Sequence, residues 1–140
     1  MAIRPATAED TAALAALVSE LSYPTSPEEM AARLAAIRPR ADYTTLVAVA
    51  GGEVAGMIGL AVSPSFVRNT PNGQIVAMVV GEKYRRRGIG QALLAQADVW
   101  FAARGVQRVS LTSALHRSDA HAFYRACGYR ENGLRFVRKL

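Results

Sequence analysis

Four cationic side chains, Lys83, Arg85, Arg86 and Arg87, stand immediately ahead of Gly88 and Gly90 in the stretch VGEKYRRRGIG. The stretch joins an apolar run of strand length to a segment whose apolar residues have helical spacing. The first N–H groups of a helix have no partner inside it and carry a partial positive charge, and glycine lets a ligand approach the backbone closely. The chemistry this combination suits is phosphate or diphosphate binding, with arginine adding charge-assisted hydrogen bonds. A mononucleotide loop, G-x-x-x-x-G-K-[ST], occurs nowhere in the chain. A dinucleotide fingerprint, G-x-G-x-x-G, fails at Leu93, which takes the third glycine's place, and no acid stands near the end of the next strand at Thr112 and Ser113. An ordinary strand-to-helix turn with a solvated charge run is the alternative that this segment alone leaves open.

The chain has 140 residues, about half of them apolar, which suits one domain over 1–140 with its own core. Its net charge of +6 points to an anionic partner: nucleic acid, acidic lipid or a phosphorylated small molecule. A nucleic-acid surface combines a broad basic face with stacking aromatics, whereas the densest cluster here is one short segment. That distribution favours a small polyanion over nucleic acid. No stretch approaches the ~18 to 20 apolar residues that cross a bilayer, and MAIRPATAEDT lacks the basic and apolar regions of a leader. The expectation is a soluble, cytoplasmic chain with no membrane partner. Cys127, the one cysteine, has no internal disulfide partner, and no spacing of His, Cys and Asp suggests a metal site.

The elements that must position the turn follow from periodicity. A short strand at Ala2 to Arg4 leads into Thr7-x-x-Asp10, a capping-box-like start, with Leu14, Leu17, Val18 and Leu21 at helical spacing. Ser26-Pro27-Glu28-Glu29 starts a second helix carrying Met30, Leu34 and Ile37, which Pro39 ends. TTLVAVA and EVAGMIGLAV flank Gly51-Gly52 as a β-hairpin. A turn-rich loop follows, and QIVAMVV, 74–80, reads as a central strand covered on both faces. Ile89, Leu93, Leu94, Ala97, Trp100 and Phe101 make an amphipathic helix that stops at Gly105. VQRVSLTS is then a strand, reached by a right-handed parallel crossover. Ser118 to Cys127 is a short helix stopped by Gly128, and GLRFVRKL closes the chain as a strand. The order is βααββ, then βαβαβ.

Two segments carry a family resemblance. IVAMVVGEKYRRRGIGQALL places Arg85, Gly88 and Gly90 in an [RQ]-x-x-G-x-[GA] pattern after an apolar strand, and VSLTSALHRSDAHAFYRACGY carries A-x-x-x-Y and G-[FY] at Ala120, Tyr124, Gly128 and Tyr129. Together they resemble the GNAT superfamily of acyl-CoA-dependent N-acetyltransferases. The resemblance implies an α/β (α+β) fold: a mixed, mostly antiparallel sheet with a parallel, splayed strand pair and helices on both faces. It implies acetyl-CoA as donor and direct transfer to a primary amine of a small molecule, peptide or protein. It puts the diphosphate on backbone N–H groups of Arg86, Arg87, Gly88, Ile89 and Gly90, with Arg85 adding charge. The pantetheine arm would lie along Met78, Val79 and Val80, with the oxyanion near the Val80 N–H, and Tyr124 would be the general acid beside the sulfur.

The chain departs from the family where many relatives carry a glutamate near the start of the central strand, because it has Gln74 and Val76 there. No base is assigned; His116, Glu20 and Glu82 are candidates acting through water. Arg117 stands where many relatives have asparagine, which removes a cofactor-contacting amide. The acceptor side falls to the first two helices and the 63–73 loop, with Tyr23, Phe66 and Arg68 in reach. His121 reads as a helix-surface residue, and Trp100 and Phe101 as core and rim. Two other readings stay open: an acyl-CoA-binding or sensor domain without turnover, suggested by the missing acidic base, and a basic nucleic-acid-binding module. Dimers are common among such proteins, and nothing in the sequence fixes one.

Overall fold

Both expected capping signals form. In the computed structural model, which describes every residue of the chain except His116, strand β1 (Ala2–Pro5) runs into a single 3-10 turn and helix α1 (Thr11–Ser19). Asp10 closes that corner: it is buried, its carboxylate accepts from the Thr7 N–H at 2.8 Å, and both Nη atoms of Arg4 donate to it at 2.8 and 3.0 Å. At the second signal, Ser26 Oγ accepts from the Glu29 N–H at 3.1 Å, and Glu29 Oε1 accepts from the Ser26 N–H at 2.9 Å. Pro27 occupies the first turn of helix α2 (Pro27–Ile37), where its missing N–H costs nothing.

Strands β2 (Tyr43–Ala50) and β3 (Glu53–Ser63) form the hairpin, with φ of 59° at Gly51 and 80° at Gly52. Positive φ at both central residues suits the right-handed twist of the flanking strands. Strand β4 (Asn72–Val80) pairs antiparallel with β3, helix α3 (Ile89–Ala102) follows, and β5 (Arg108–Leu111) lies parallel beside β4. The sheet order is β1-β2-β3-β4-β5.

Two different layers cover the sheet. Val47, Met57 and Val79 share one row across β2, β3 and β4, and they pack with Leu14 and Leu17 of α1 and Met30 and Leu34 of α2. On the opposite face α3 comes close to β3: a Cβ on Gly56 would sit 3.4 Å from both the Ile89 and the Leu93 side chains. Among the described residues, no helix is long and apolar enough to cross a membrane.

Met1–Ser110 forms one compact unit and Leu111–Leu140 a second. The second holds helix α4 (Ser118–Ala126), whose end is closed by Gly128 at φ 94° and by the Tyr129 N–H on the Tyr124 carbonyl at 3.0 Å. The strand expected from GLRFVRKL does not form. Its apolar residues do not keep to alternate positions, because Val137 follows Phe136 directly, and Leu134, Phe136, Val137 and Leu140 are all exposed. An alternating pattern becomes a strand only where a neighbouring backbone supplies the ladder.

Asp10 ties β1 to α1, so its removal has a defined cost. The Arg4 guanidinium, and then the Thr7 N–H, hold its carboxyl below the usual carboxylate range against the opposing effect of burial. Folding therefore favours the ionised form, and that contribution is present above the ordinary carboxylate pKa and is lost as pH falls below it. Asp10→Ala is expected to lower stability by about 1 to 3 kcal/mol at pH 7, less at pH 3, in urea unfolding. Equal losses at both pH values would contradict the assignment.

Candidate functional site

The end of β4 is shaped by an irregularity. Gly59 pairs with Ala77 and Leu60 with Ile75, so Val76 is the extra residue of a β-bulge. A Cβ on Gly59 would lie 3.2 Å from a Val76 methyl, so the bulge needs a residue without a side chain across from it. Past the bulge come Met78, half-buried, Val79, buried, and Val80, half-buried. β5 has four residues against nine in β4, so it covers only part of that edge. A Cβ on Gly73, at the start of β4, would fall 2.7 Å from Val106, just ahead of β5. The Met78–Val80 end of β4 runs on toward the turn.

The turn itself divides into a tied half and an open half. The Gly81 N–H donates to the Ala55 carbonyl and the Tyr84 N–H to the Gly81 carbonyl, both at 2.8 Å, while the Glu82 N–H donates to Glu20 Oε1 at 3.0 Å. Arg85 turns back, its Nε donating to the Val80 carbonyl at 3.2 Å. Arg86 then takes φ 64° and Gly88 φ 78°, and Ile89, buried, starts α3 with Gly90 half-buried behind it. From Arg86 through Gln91 no backbone N–H makes a hydrogen bond among the described residues; the Ala92 N–H, bonded to the Gly88 carbonyl at 3.0 Å, is the first that does. These N–H groups lie at the positive end of a four-turn helix, an arrangement that holds anions.

The charges of the turn are not equally available. Lys83 Nζ pairs with Glu53 at 3.1 Å, and the Arg87 guanidinium lies over the Tyr84 ring at 5.7 Å from its centroid. Arg86 has no ion pair among the described residues. Glu53 and Tyr84, which sequence reasoning passed over, and Glu20, weighed there only as a base, are the residues that hold the tied half. Glu20 and Glu82 are separated by 62 positions, so no local pattern announces that bond.

In the second unit, Tyr124 sits half-buried on α4, with its ring edge-on to Phe123 and Tyr129 at centroid separations of 5.5 and 6.0 Å. Burial raises its pKa above the ordinary tyrosine value; the nearby Cys127 adds to the rise, and Arg117 opposes it. Its hydroxyl stays protonated at neutral pH. His121 holds the helix to the preceding segment through Nε2 and the Ala114 carbonyl at 2.8 Å, with the tautomer that puts the proton on Nε2. Of the other expected site residues, Gln74 and Glu82 are exposed, Tyr23 and Phe66 are exposed, and His116 lies outside the described residues. The expected order of Trp100 and Phe101 is reversed: Phe101 is core, turned toward Gly73 of β4, and Trp100 is half-buried under the Arg104 guanidinium. Among the described residues no group of three His, Cys, Asp or Glu side chains could hold a metal.

An open cleft of about 430 Å³ lies in the β3–β4 connection, lined by Ser63, Ser65, Arg68, Asn69 and Thr70 among others, with no carboxylate among the described residues that line it. Ser65 Oγ accepts from the Val67 and Arg68 N–H groups at 3.1 and 3.0 Å, which fixes the bend that carries Arg68.

Comparison with known proteins gives a consistent outcome. The profile described as Acetyltransferase (GNAT) family matches residues 11–129. The chain is 34% identical to an aminoalkylphosphonate N-acetyltransferase of Salmonella typhimurium, across 99% of this chain and 90% of that protein. It is 29% identical to a type 1 aminoglycoside N(6′)-acetyltransferase of Stenotrophomonas maltophilia, across 92% and 86%. A solved aminoglycoside N-acetyltransferase in complex with CoA shares the fold with a TM-score of 0.83 at 18% identity, covering 99% of each chain.

Gly88 tests the turn geometry directly. Nothing lies within 4 Å of a Cβ placed there, so the cost of a side chain is conformational alone. Gly88→Ala is expected to destabilise the protein by about 1 to 2 kcal/mol and Gly88→Asn by less, because asparagine tolerates the left-handed region. Equal stability of Gly88→Ala and wild type in denaturant unfolding would show that the turn adopts another conformation.

Proposed function

Because the chain belongs to the GNAT acetyltransferase family, we propose that it transfers the acetyl group of acetyl-CoA to a primary amine of a small molecule, peptide or protein. The observation that carries this reading is the run of N–H groups from Arg86 through Gln91, at the start of α3, that make no hydrogen bond among the described residues. A diphosphate satisfies such groups, and Arg86 and the free Nη groups of Arg85 add charge. The Met78–Val80 edge would take the pantetheine arm as a strand-like neighbour. That a relative of the same fold is solved with CoA supports the choice of donor.

In the proposed reaction the amine nitrogen attacks the thioester carbonyl, a C–N bond forms and the C–S bond breaks. The amine's proton passes to solvent, and the thiolate leaves. We assign Tyr124 the role of donating a hydrogen bond to the departing sulfur. With ordinary values near ~10 for tyrosine and ~8.5 for a thiol, full proton transfer would be uphill by roughly 2 kcal/mol, so a hydrogen bond is the more economical role. With no acid at Gln74 or Val76, deprotonation of the acceptor falls to the medium. A lysine-like amine then costs about 4 to 5 kcal/mol at neutral pH and an amine of pKa ~7.7 only about 1.

The relatives' names point to two acceptor classes, aminoalkylphosphonates and aminoglycosides. The cleft with Arg68 and four hydroxyl or amide side chains suits an acceptor bearing an anionic group better than a polycationic one. We therefore propose aminoalkylphosphonates or similar anionic amines as acceptors.

A thiol-release assay over a panel of amines tests these assignments together. Aminoalkylphosphonates should turn over faster than uncharged alkylamines and aminoglycosides, and Arg68→Ala should raise their KM; a preference for aminoglycosides would contradict the acceptor class. Turnover should rise with pH up to the acceptor's own pKa, and a plateau well below it would reveal a base within the protein. Tyr124→Phe should lower kcat about 10- to 100-fold with little change in acetyl-CoA affinity, and unchanged kcat would remove its role.

A further inference from the structure

The Glu53 carboxylate, at the first position of β3, accepts a hydrogen bond from the Tyr84 hydroxyl and pairs with Lys83 Nζ at 3.1 Å. Its two partners are successive residues of the turn that precedes the open N–H groups. The Tyr84 ring in turn lies beneath two cations, with Lys83 Nζ 5.1 Å and the Arg87 guanidinium 5.7 Å from its centroid. Arg87 belongs to the open half. Tyr84 thus spans both halves: its hydroxyl is fixed to the tip of the β2–β3 hairpin, and its ring carries a residue whose own N–H makes no hydrogen bond among the described residues. Glu20 at the end of α1 completes the hold through the Glu82 N–H at 3.0 Å.

We propose that Tyr84 and Glu53 are positioning residues for the donor substrate. Together they set the direction of the N–H groups that follow, and Glu53 neutralises Lys83 so that the charge presented to a diphosphate comes from the arginines. The proposal rests on the acetyl-CoA reading of this site.

Magnitudes separate this role from a purely structural one. The Lys83 and Glu53 side chains are 72% and 62% exposed, and ion pairs so exposed contribute little to global stability. The hydroxyl–carboxylate bond is charge-assisted and directional, so its value lies in geometry. The electrostatics agree: the Tyr84 hydroxyl and then Lys83 hold the Glu53 carboxyl below its ordinary range, and Glu53 raises the Tyr84 pKa. Glu53 also faces the turn across a groove of about 810 Å³ that Glu20 and Glu82 line as well. Freeing Lys83 from Glu53 would leave it beside those carboxylates, and it would not simply be handed to the ligand.

The test uses the whole chain with Tyr84→Phe, Glu53→Ala and Glu53→Gln, the last keeping an acceptor for the tyrosine hydroxyl while removing the charge. Two readouts are taken: amide hydrogen exchange of the hydrogen-bonded Gly81, Glu82 and Tyr84 N–H groups without ligand, and affinity for acetyl-CoA against S-acetylpantetheine, which lacks the nucleotide and diphosphate. Tyr84→Phe and Glu53→Ala should speed exchange in the turn while α2 and β2 are unaffected. They should raise Kd and KM for acetyl-CoA about three- to tenfold with kcat close to wild type, and change S-acetylpantetheine far less. Glu53→Gln should fall nearer to wild type than Glu53→Ala. Unchanged exchange in Tyr84→Phe would overturn the positioning role whatever the ligand. Faster exchange with unchanged acetyl-CoA affinity would overturn its link to the donor. A wild-type protein that binds no acetyl-CoA would overturn the parent reading and this inference with it.

Discussion

Backbone N–H groups with no acceptor among the described residues are the constraint around which this turn is arranged. A helix start always leaves a few such groups, but here the run without partners among the described residues begins at Arg86, ahead of the helix, and lasts to Gln91. Solvent satisfies them in the free protein, so the arrangement costs little; a fixed anion with several oxygens gains more from them than one water after another can. What makes the run usable is that everything before it is tied: Gly81 to β3, Glu82 to α1, Tyr84 and Lys83 to the hairpin tip.

The packing layers serve the same end. Gly56 lets the start of α3 close onto β3, since a Cβ there would meet the Val79 carbonyl at 3.1 Å as well as the two α3 side chains. Buried Ile89 and Leu93 fix the helix in that position, so the direction of its first turn follows from core packing and not from the exposed arginines. On the other face α1 and α2 pack on the row Val47, Met57 and Val79, which anchors β4 beyond its bulge. Charge is a later layer. The chain carries +6 overall, yet Lys83 is neutralised and Arg87 is drawn over a ring, so a charge count along the sequence overstates what a ligand would meet.

Local signals were legible and distant ones were not. Ser26-Pro27-x-Glu29 and Thr7-x-x-Asp10 each contain both halves of a hydrogen-bonded cap, so the helix starts could be read off. Gly51-Gly52 contains the positive φ values its turn needs. The apolar run at 74–80 and the glycine pair after it located the strand, the helix and the turn between them. The Val76 bulge was hidden, although Gly59 in the middle of an otherwise apolar strand was the available sign, because its partner lies across the sheet. Glu20 and Glu53 looked like solvated acids for the same reason: their partners are 62 and about 30 positions away. The strand read into the last eight residues failed for a local reason: Val137 follows Phe136 directly, so its apolar residues do not alternate, and they are exposed.

Everything functional here depends on whether those N–H groups, and not the arginine side chains alone, grip the donor's diphosphate. Backbone amide NMR during titration with coenzyme A reads this most directly. The expected result is that Arg86 through Gln91 show the largest changes, shifting as hydrogen bonds form, while the same titration with pantetheine leaves them near their starting positions. Changes confined to arginine side chains, or centred on another part of the chain, would contradict the account.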